Sequence, residues 1–278
     1  MNTQHTTPPP ATRFLAQPEG RIAYDIQGAG PLVLLVPGMG DLRSTYRFLT
    51  PALVAAGYTV ATTDLRGHGD SSSVFSSYGD AVTASDLVAL LDDLGKPAVV
   101  IGNSMGAGAA VIAAADRPEL VSGLVLVGPF VREPASNTRF NRLFLRLLMA
   151  RPWAAAAWKA YLPKLYAGTR PTDFSEYKKD VIASIRRPGY TRAFSLTTRT
   201  DHVQAGDSLD RVTAPVLIVM GEKDPDFKDP MAEADWIART LHGEAVMVPD
   251  AGHYPQSQQP ERTSAAIIRF LSTLKNHA

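Results

Sequence analysis

Apolar residues in this chain fall into two textures that alternate. Short continuous runs at 32–36, 58–63, 98–101, 121–127, 216–220 and 244–248 have the length expected of strands covered on both faces. Between them lie segments read as helices, at 44–56, 81–94, 109–115 and 261–274, several closed by a glycine such as Gly57 or Gly95. A half-polar alternating stretch at 21–26 precedes them and ends at the turn residues Gly28-Ala29-Gly30-Pro31. Strands alternating with helices at this rhythm predict right-handed βαβ crossovers and a mainly parallel sheet.

The rhythm stops at Gly128-Pro129 and resumes at Ala214-Pro215. The expected organisation is therefore an α/β core built from 13–129 and 209–278, with a helical cap inserted at 130–208. Residues 1–12 are polar, carry Pro8-Pro9-Pro10 and read as a flexible leader without the basic and apolar regions of a signal peptide.

Composition sharpens this in three places. The 278-residue chain has no cysteine, which removes disulfides and thiolate chemistry and suits a cytoplasmic setting. No apolar run approaches the roughly 20 residues of a transmembrane helix. The net charge of +1 gives no reason to expect nucleic acid, yet it conceals a division. Residues 132–201 hold 14 of the chain's 28 basic residues and 5 of its 27 acidic ones. Arg139, Arg142 and Arg146 share a helical face, with Phe140, Phe144, Leu147 and Leu148 on others. The reading is a solvated outer face over an apolar inner one, with attraction of anionic substrates as the sharper alternative. Membrane contact is not expected.

The chemistry centres on Gly102-Asn103-Ser104-Met105-Gly106, placed between the apolar run 98–101 and a stretch of small helix formers. A serine at such a strand-to-helix turn is pushed out of the backbone, and its neighbours must be small for strand and helix to approach. Ser104 is the candidate nucleophile, and it needs a base. Of six histidines, His5 and His277 lie near the ends, His242 at a helix end, His202 in the inserted block and His68 in a glycine-flanked loop read as structural. His253 remains, in a loop directly after the last strand run, where catalytic groups of parallel sheets gather. Asp224, after the run 216–220, completes the order Ser, Asp, His; Asp226, Glu222 and Asp250 are its rivals. The oxyanion donors expected are the amides of Met105, beside the serine, and Met39, in the turn Pro37-Gly38-Met39-Gly40. No nucleotide-binding or metal-ligand motif is present, so no cofactor or metal is expected.

Taken together, the serine turn, Asp64-Leu65-Arg66-Gly67-His68-Gly69-Asp70-Ser71, Gly221-Glu222-Lys223-Asp224 and Gly252-His253 resemble the α/β-hydrolase superfamily over nearly the whole of 21–274. The resemblance implies an eight-stranded, mostly parallel sheet flanked by helices, with a cap over the site. Many relatives open the oxyanion turn with His-Gly, where this chain has Pro37-Gly38. A serine nucleophile separates it from the dehalogenase and epoxide-hydrolase branches, which use a carboxylate. The turn is also similar to that of carbon–carbon bond hydrolases, although Tyr254 stands where those usually carry tryptophan. The expected activity is hydrolysis of a carboxylic ester, lactone or thioester of a small acyl substrate. Carbon–carbon bond hydrolysis, cofactor-free perhydrolysis and a non-turnover ligand receptor are the alternatives. Trp153, Trp158, Tyr161, Tyr166 and Tyr254 are candidate pocket residues. Oligomeric state is left open.

Overall fold

The computed structural model describes residues 10–133 and 147–275. Eight strands form one sheet: β1 (Arg13–Gln17), β2 (Gly20–Gln27), β3 (Leu32–Val36), β4 (Thr59–Thr63), β5 (Ala98–Asn103), β6 (Val121–Val127), β7 (Val216–Gly221) and β8 (Glu244–Val248). Their order is β1-β2-β4-β3-β5-β6-β7-β8. β2 is antiparallel to both neighbours, and every pairing from β4 through β8 is parallel. β1 is an addition to the strands expected from the sequence; it starts one residue beyond the expected leader, whose residues 1–9 lie outside the described ones.

The side-chain period of two explains the unbroken apolar runs. In β3, Leu32, Leu34 and Val36 join the core on one face with Leu87, Leu90 and Leu91, while Val33 and Leu35 join the other with Leu53, Ile267 and Leu271. The first face is covered by α2 (Asp80–Leu94), α3 (Met105–Asp116) and, farther along, Pro230–Thr240. The second is covered by α1 (Leu49–Ala55) and the C-terminal helix Pro260–Lys275. α2 stops where expected: Gly95 takes a left-handed φ of 65° and its N–H returns to the carbonyls of Leu91 and Asp92.

Strand order reverses between β3 and β5. The chain moves from β3 outward to β4, crosses back to β5, then proceeds the other way to β6. The loops leaving the carboxyl ends of β3 and β5 are thereby pushed apart, which opens a crevice at this point in such sheets.

Between β6 and β7 the described residues contain no strand. They hold the helices α4 (Ala154–Leu165), α5 (Phe174–Arg186), α6 (Tyr190–Thr197) and α7 (Val203–Ser208). α5 buries Phe174, Tyr177, Val181, Ile182 and Ile185, the stripe of an amphipathic helix. These residues meet Trp158, Leu162, Leu165, Tyr166, Phe194 and, from the core, Tyr254 in a separate apolar cluster. Arg139, Phe140, Arg142, Phe144 and Arg146 lie outside the described residues. Leu147 and Leu148 are exposed. No helix among the described residues is long and apolar enough to cross a membrane.

Candidate active site

Ser104 sits at the apex between β5 and α3 with φ 57° and ψ −123°, a strained setting for a residue with a side chain. The crossing is tight. A Cβ on Gly102 would lie 2.4 Å from the Gly106 carbonyl oxygen, and one on Gly106 would lie 2.5 Å from that of Pro37. Those two glycines are required by space, as the sequence argument held. Ser104 is partly exposed, and its hydroxyl has no hydrogen-bond partner among the described residues.

His253 follows β8, and Asp224 follows β7. The His253 Nδ1 and the Asp224 Oδ2 are 2.7 Å apart, and both side chains are buried. Burial disfavours the charged ring, but the Asp224 carboxylate outweighs it, with Asp226 assisting, and lifts the His253 pKa to about 9. Asp226 stands 3.8 Å from Nδ1 and takes the Tyr161 hydroxyl as a donor. The other rivals are elsewhere: Glu222 is exposed, and Asp250 pairs with Lys223 at 2.5 Å. Asn103 ties serine turn and histidine loop together, its Nδ2 donating to the carbonyls of Val127 at 2.9 Å and His253 at 3.2 Å. Phe130, three residues beyond β6, packs edge-on to His253 at 5.9 Å.

The two expected oxyanion donors stand where β3 and β5 end. Neither the Met39 nor the Met105 amide has an intramolecular partner among the described residues. The neighbouring Gly40 amide is occupied: it donates to His68 Nε2 at 3.0 Å. The His68 Nδ1, 3.0 Å from the Arg66 carbonyl, donates there. With burial opposing charge, the His68 pKa falls to about 4, so the ring is a neutral strut. The sequence placed His68 in a structural loop but missed its reach to the turn after β3. The departure from His-Gly at Pro37-Gly38 was the available signal, since the turn needs some brace.

Of the pocket candidates, Trp158 donates to the Gly40 carbonyl at 2.9 Å, and Tyr161 donates to Asp226. Tyr254 is buried, stacked on Tyr166 at 4.7 Å between centroids, which makes both packing residues of the inserted block's core. Trp153 is half exposed and donates to the Leu147 carbonyl, so it belongs to the surface and not to a pocket. A large aromatic side chain carries no sequence mark of which face its helix presents. Two features went unanticipated. His202 pairs with the buried Asp80 at 2.7 Å, joining the end of the inserted block to the start of α2. Phe130 lies between His202 and His253. A cavity of about 750 Å³ lined by Asp25, Arg43, Arg47, Asp64 and Arg187 includes none of the residues above.

Asp224, Asp226 and His253 are the one set among the described residues with three potential metal-ligand atoms within 4.8 Å of one another. The Nδ1–carboxylate hydrogen bond already accounts for that proximity.

The chain belongs to the alpha/beta hydrolase family, whose sequence profile matches residues 33–266. It is 28% identical to the 2-(acetamidomethylene)succinate hydrolase of Mesorhizobium japonicum, over 91% of this chain and 92% of that one. It is likewise 28% identical to epoxide hydrolase A of Mycobacterium tuberculosis, over 92% and 94%. Among solved structures, a thermophilic esterase from Thermogutta terrifontis superposes with a TM-score of 0.80 at 26% identity, over 95% of this chain and 99% of that one. The fold is thus the mostly parallel eight-stranded α/β-hydrolase sheet flanked by helices, and the protein is of a hydrolase enzyme family.

Proposed function

We propose that this protein is a serine hydrolase of carboxylic esters that works through an acyl-enzyme on Ser104. The observation that carries the reading is the buried Asp224–His253 hydrogen bond, tied through Asn103 to a strained, solvent-reachable serine. Ser104 Oγ attacks the ester carbonyl carbon while His253 Nε2 takes its proton. The carbonyl electron pair moves onto oxygen, where the Met39 and Met105 amides hold it. Asp224 keeps the Nδ1 proton in place and stabilises the imidazolium. Collapse expels the alcohol oxygen, which collects the proton from His253. Water then repeats the sequence on the acyl-enzyme and frees the acid.

The chemistry of serine favours this over the reaction named for the epoxide hydrolase relative. A serine oxygen opening an epoxide would leave an ether, which water does not readily cleave. The solved relative named an esterase points the same way. The inserted block 130–208 acts as the cap over the site, with Tyr161 beside the Asp226 carboxylate as the pocket residue nearest His253.

Turnover of p-nitrophenyl acetate and butyrate tests the reading. Multiple turnovers that vanish in Ser104→Ala are expected. A single burst, accompanied by ligand-dependent protease sensitivity of the helical block, would instead indicate a receptor.

A further inference from the structure

The turn after β3, residues 37–41, is gripped from two directions. From the core, His68 takes the Gly40 N–H, and Asp64 takes the Arg43 N–H at 2.8 Å just beyond the turn. From the inserted helices, Trp158 in α4 donates to the Gly40 carbonyl at 2.9 Å, and Tyr177 in α5 donates its hydroxyl to the Asp41 carboxylate. Space adds to the grip. Gly40 has φ 72°, and a Cβ there would lie 2.6–2.8 Å from ring atoms of Trp158 and Phe194. On the other side, a Cβ on Gly38 would lie 2.9 Å from that of Ser104. Little freedom remains for the peptide units on either side of Met39.

Asp41 makes the Tyr177 contact consequential. It is 1% exposed, its Oδ1 also accepts from the Leu42 N–H at 3.0 Å, and its Oδ2 has no hydrogen-bond partner among the described residues. Burial pushes its pKa up to about 6. Tyr177, Leu42, Thr45 and the Arg47 charge oppose that rise, and a buried carboxylate with one oxygen unpartnered depends on the donors it has. Removing the Tyr177 hydroxyl should therefore make the turn repack, not leave the carboxylate stranded.

We propose that Trp158 and Tyr177 are positioning residues for the Met39 amide, so that the seating of the helical block sets the aim of an oxyanion donor. The block then does more than cover the site. A substrate that seats the helices completes the transition-state machinery, and one that props them apart binds but reacts slowly. This rests on the serine-hydrolase reading above.

The test uses Trp158→Phe and Tyr177→Phe in the full chain, with active sites titrated by a fluorophosphonate so that misfolded protein is not counted. With p-nitrophenyl butyrate, kcat per titrated site should fall about 10- to 100-fold while KM stays within about twofold. A trifluoromethyl ketone, whose adduct on serine carries an oxyanion, should lose affinity by the same factor. Butyrate, a product that makes no such adduct, should bind as before. Tyr177→Phe should have no further effect on kcat in an Asp41→Asn background, because it acts through that carboxylate. If KM rises with kcat unchanged, or ketone and butyrate weaken together, the helices merely shape the pocket and the inference is overturned. If the wild type neither titrates at Ser104 nor turns over esters, the underlying reading fails and the inference falls with it. A wild type that titrates, beside variants of unchanged kcat, sinks the inference alone.

Discussion

Two histidines in this molecule have nearly the same surroundings by burial and opposite electrostatic fates. His253 and His68 are 2% and 3% exposed, both lie in loops at carboxyl ends of strands, and both are held at Nδ1. Burial alone lowers the pKa of each. At His253 the Nδ1 partner is a carboxylate, and the pKa rises to about 9; at His68 it is a peptide carbonyl, and the pKa drops to about 4. A fixed charge at hydrogen-bond distance reverses a desolvation penalty, whereas a dipole does not. The same residue type thus holds a proton past neutrality in one loop and, in the other, stays neutral down to about pH 4 as acceptor for the Gly40 N–H.

The strongest way to break this contrast is to discharge the partner of His253. In Asp224→Asn, kcat/KM should fall on the order of 10⁴-fold, because the imidazolium loses its counter-charge and the ring its enforced tautomer. The pKa governing the remaining activity should drop well below the wild-type value. Initial rates on a p-nitrophenyl ester from pH 5 to 10 decide it. A variant with unchanged activity would show that Asp224 is not the orienting acid.

His68 tests the other half. In His68→Ala the Gly40 N–H loses its acceptor and one brace of the oxyanion turn disappears. The expected result is a fall in kcat of about 10²-fold with the shape of the pH profile retained, since His68 does not titrate in the active range. Stability should respond in a defined direction. The native pKa, about 4, lies below the ordinary value of 6.5. As pH falls from 6.5 to 4, the unfolded chain therefore gains a proton that the native state refuses. Wild type should lose about 3 kcal/mol across that window that the variant does not lose, measured by denaturant unfolding at each pH. Equal pH slopes for both proteins would mean that His68 is not held neutral.

The asymmetry also shows what could be read before any coordinates. Runs covered on both faces, such as Leu32–Val36 and Val121–Val127, announce themselves because alternate residues feed two cores at once. Ser104 is legible because its turn leaves room only for glycine at positions 102 and 106. The Asp224 and His253 positions follow from where strands end. β1, by contrast, is an edge strand of five residues with most side chains exposed, and carries no run of that kind. The bracing of the turn after β3 was illegible for a different reason. His68, Trp158 and Tyr177 reach Gly40 and Asp41 across 28, 118 and 136 residues, through single hydrogen bonds that leave no periodic trace. Trp153 and Trp158 look equivalent in sequence, five positions apart, and only the packing of α4 sends one to solvent and the other to Gly40.

The finest probe of the contrast is the second carboxylate. Asp226 lies 3.8 Å from His253 Nδ1, beyond hydrogen-bond range, so it acts on the ring through charge and not through geometry. Asp226→Asn removes that charge while keeping an oxygen for the Tyr161 hydroxyl. The ascending limb of kcat/KM should move down by about one pH unit, with the alkaline plateau little changed. Below that limb the sign is unusual for a substitution inside an active site. Near pH 7 more of the histidine is in its basic form, so the variant should be faster than wild type, by up to about tenfold. An unmoved limb would mean that Asp226 carries no charge over this range, leaving Asp224 alone to hold the imidazolium. A collapsed plateau would mean instead that Asp226, and not Asp224, is the residue that orients the base.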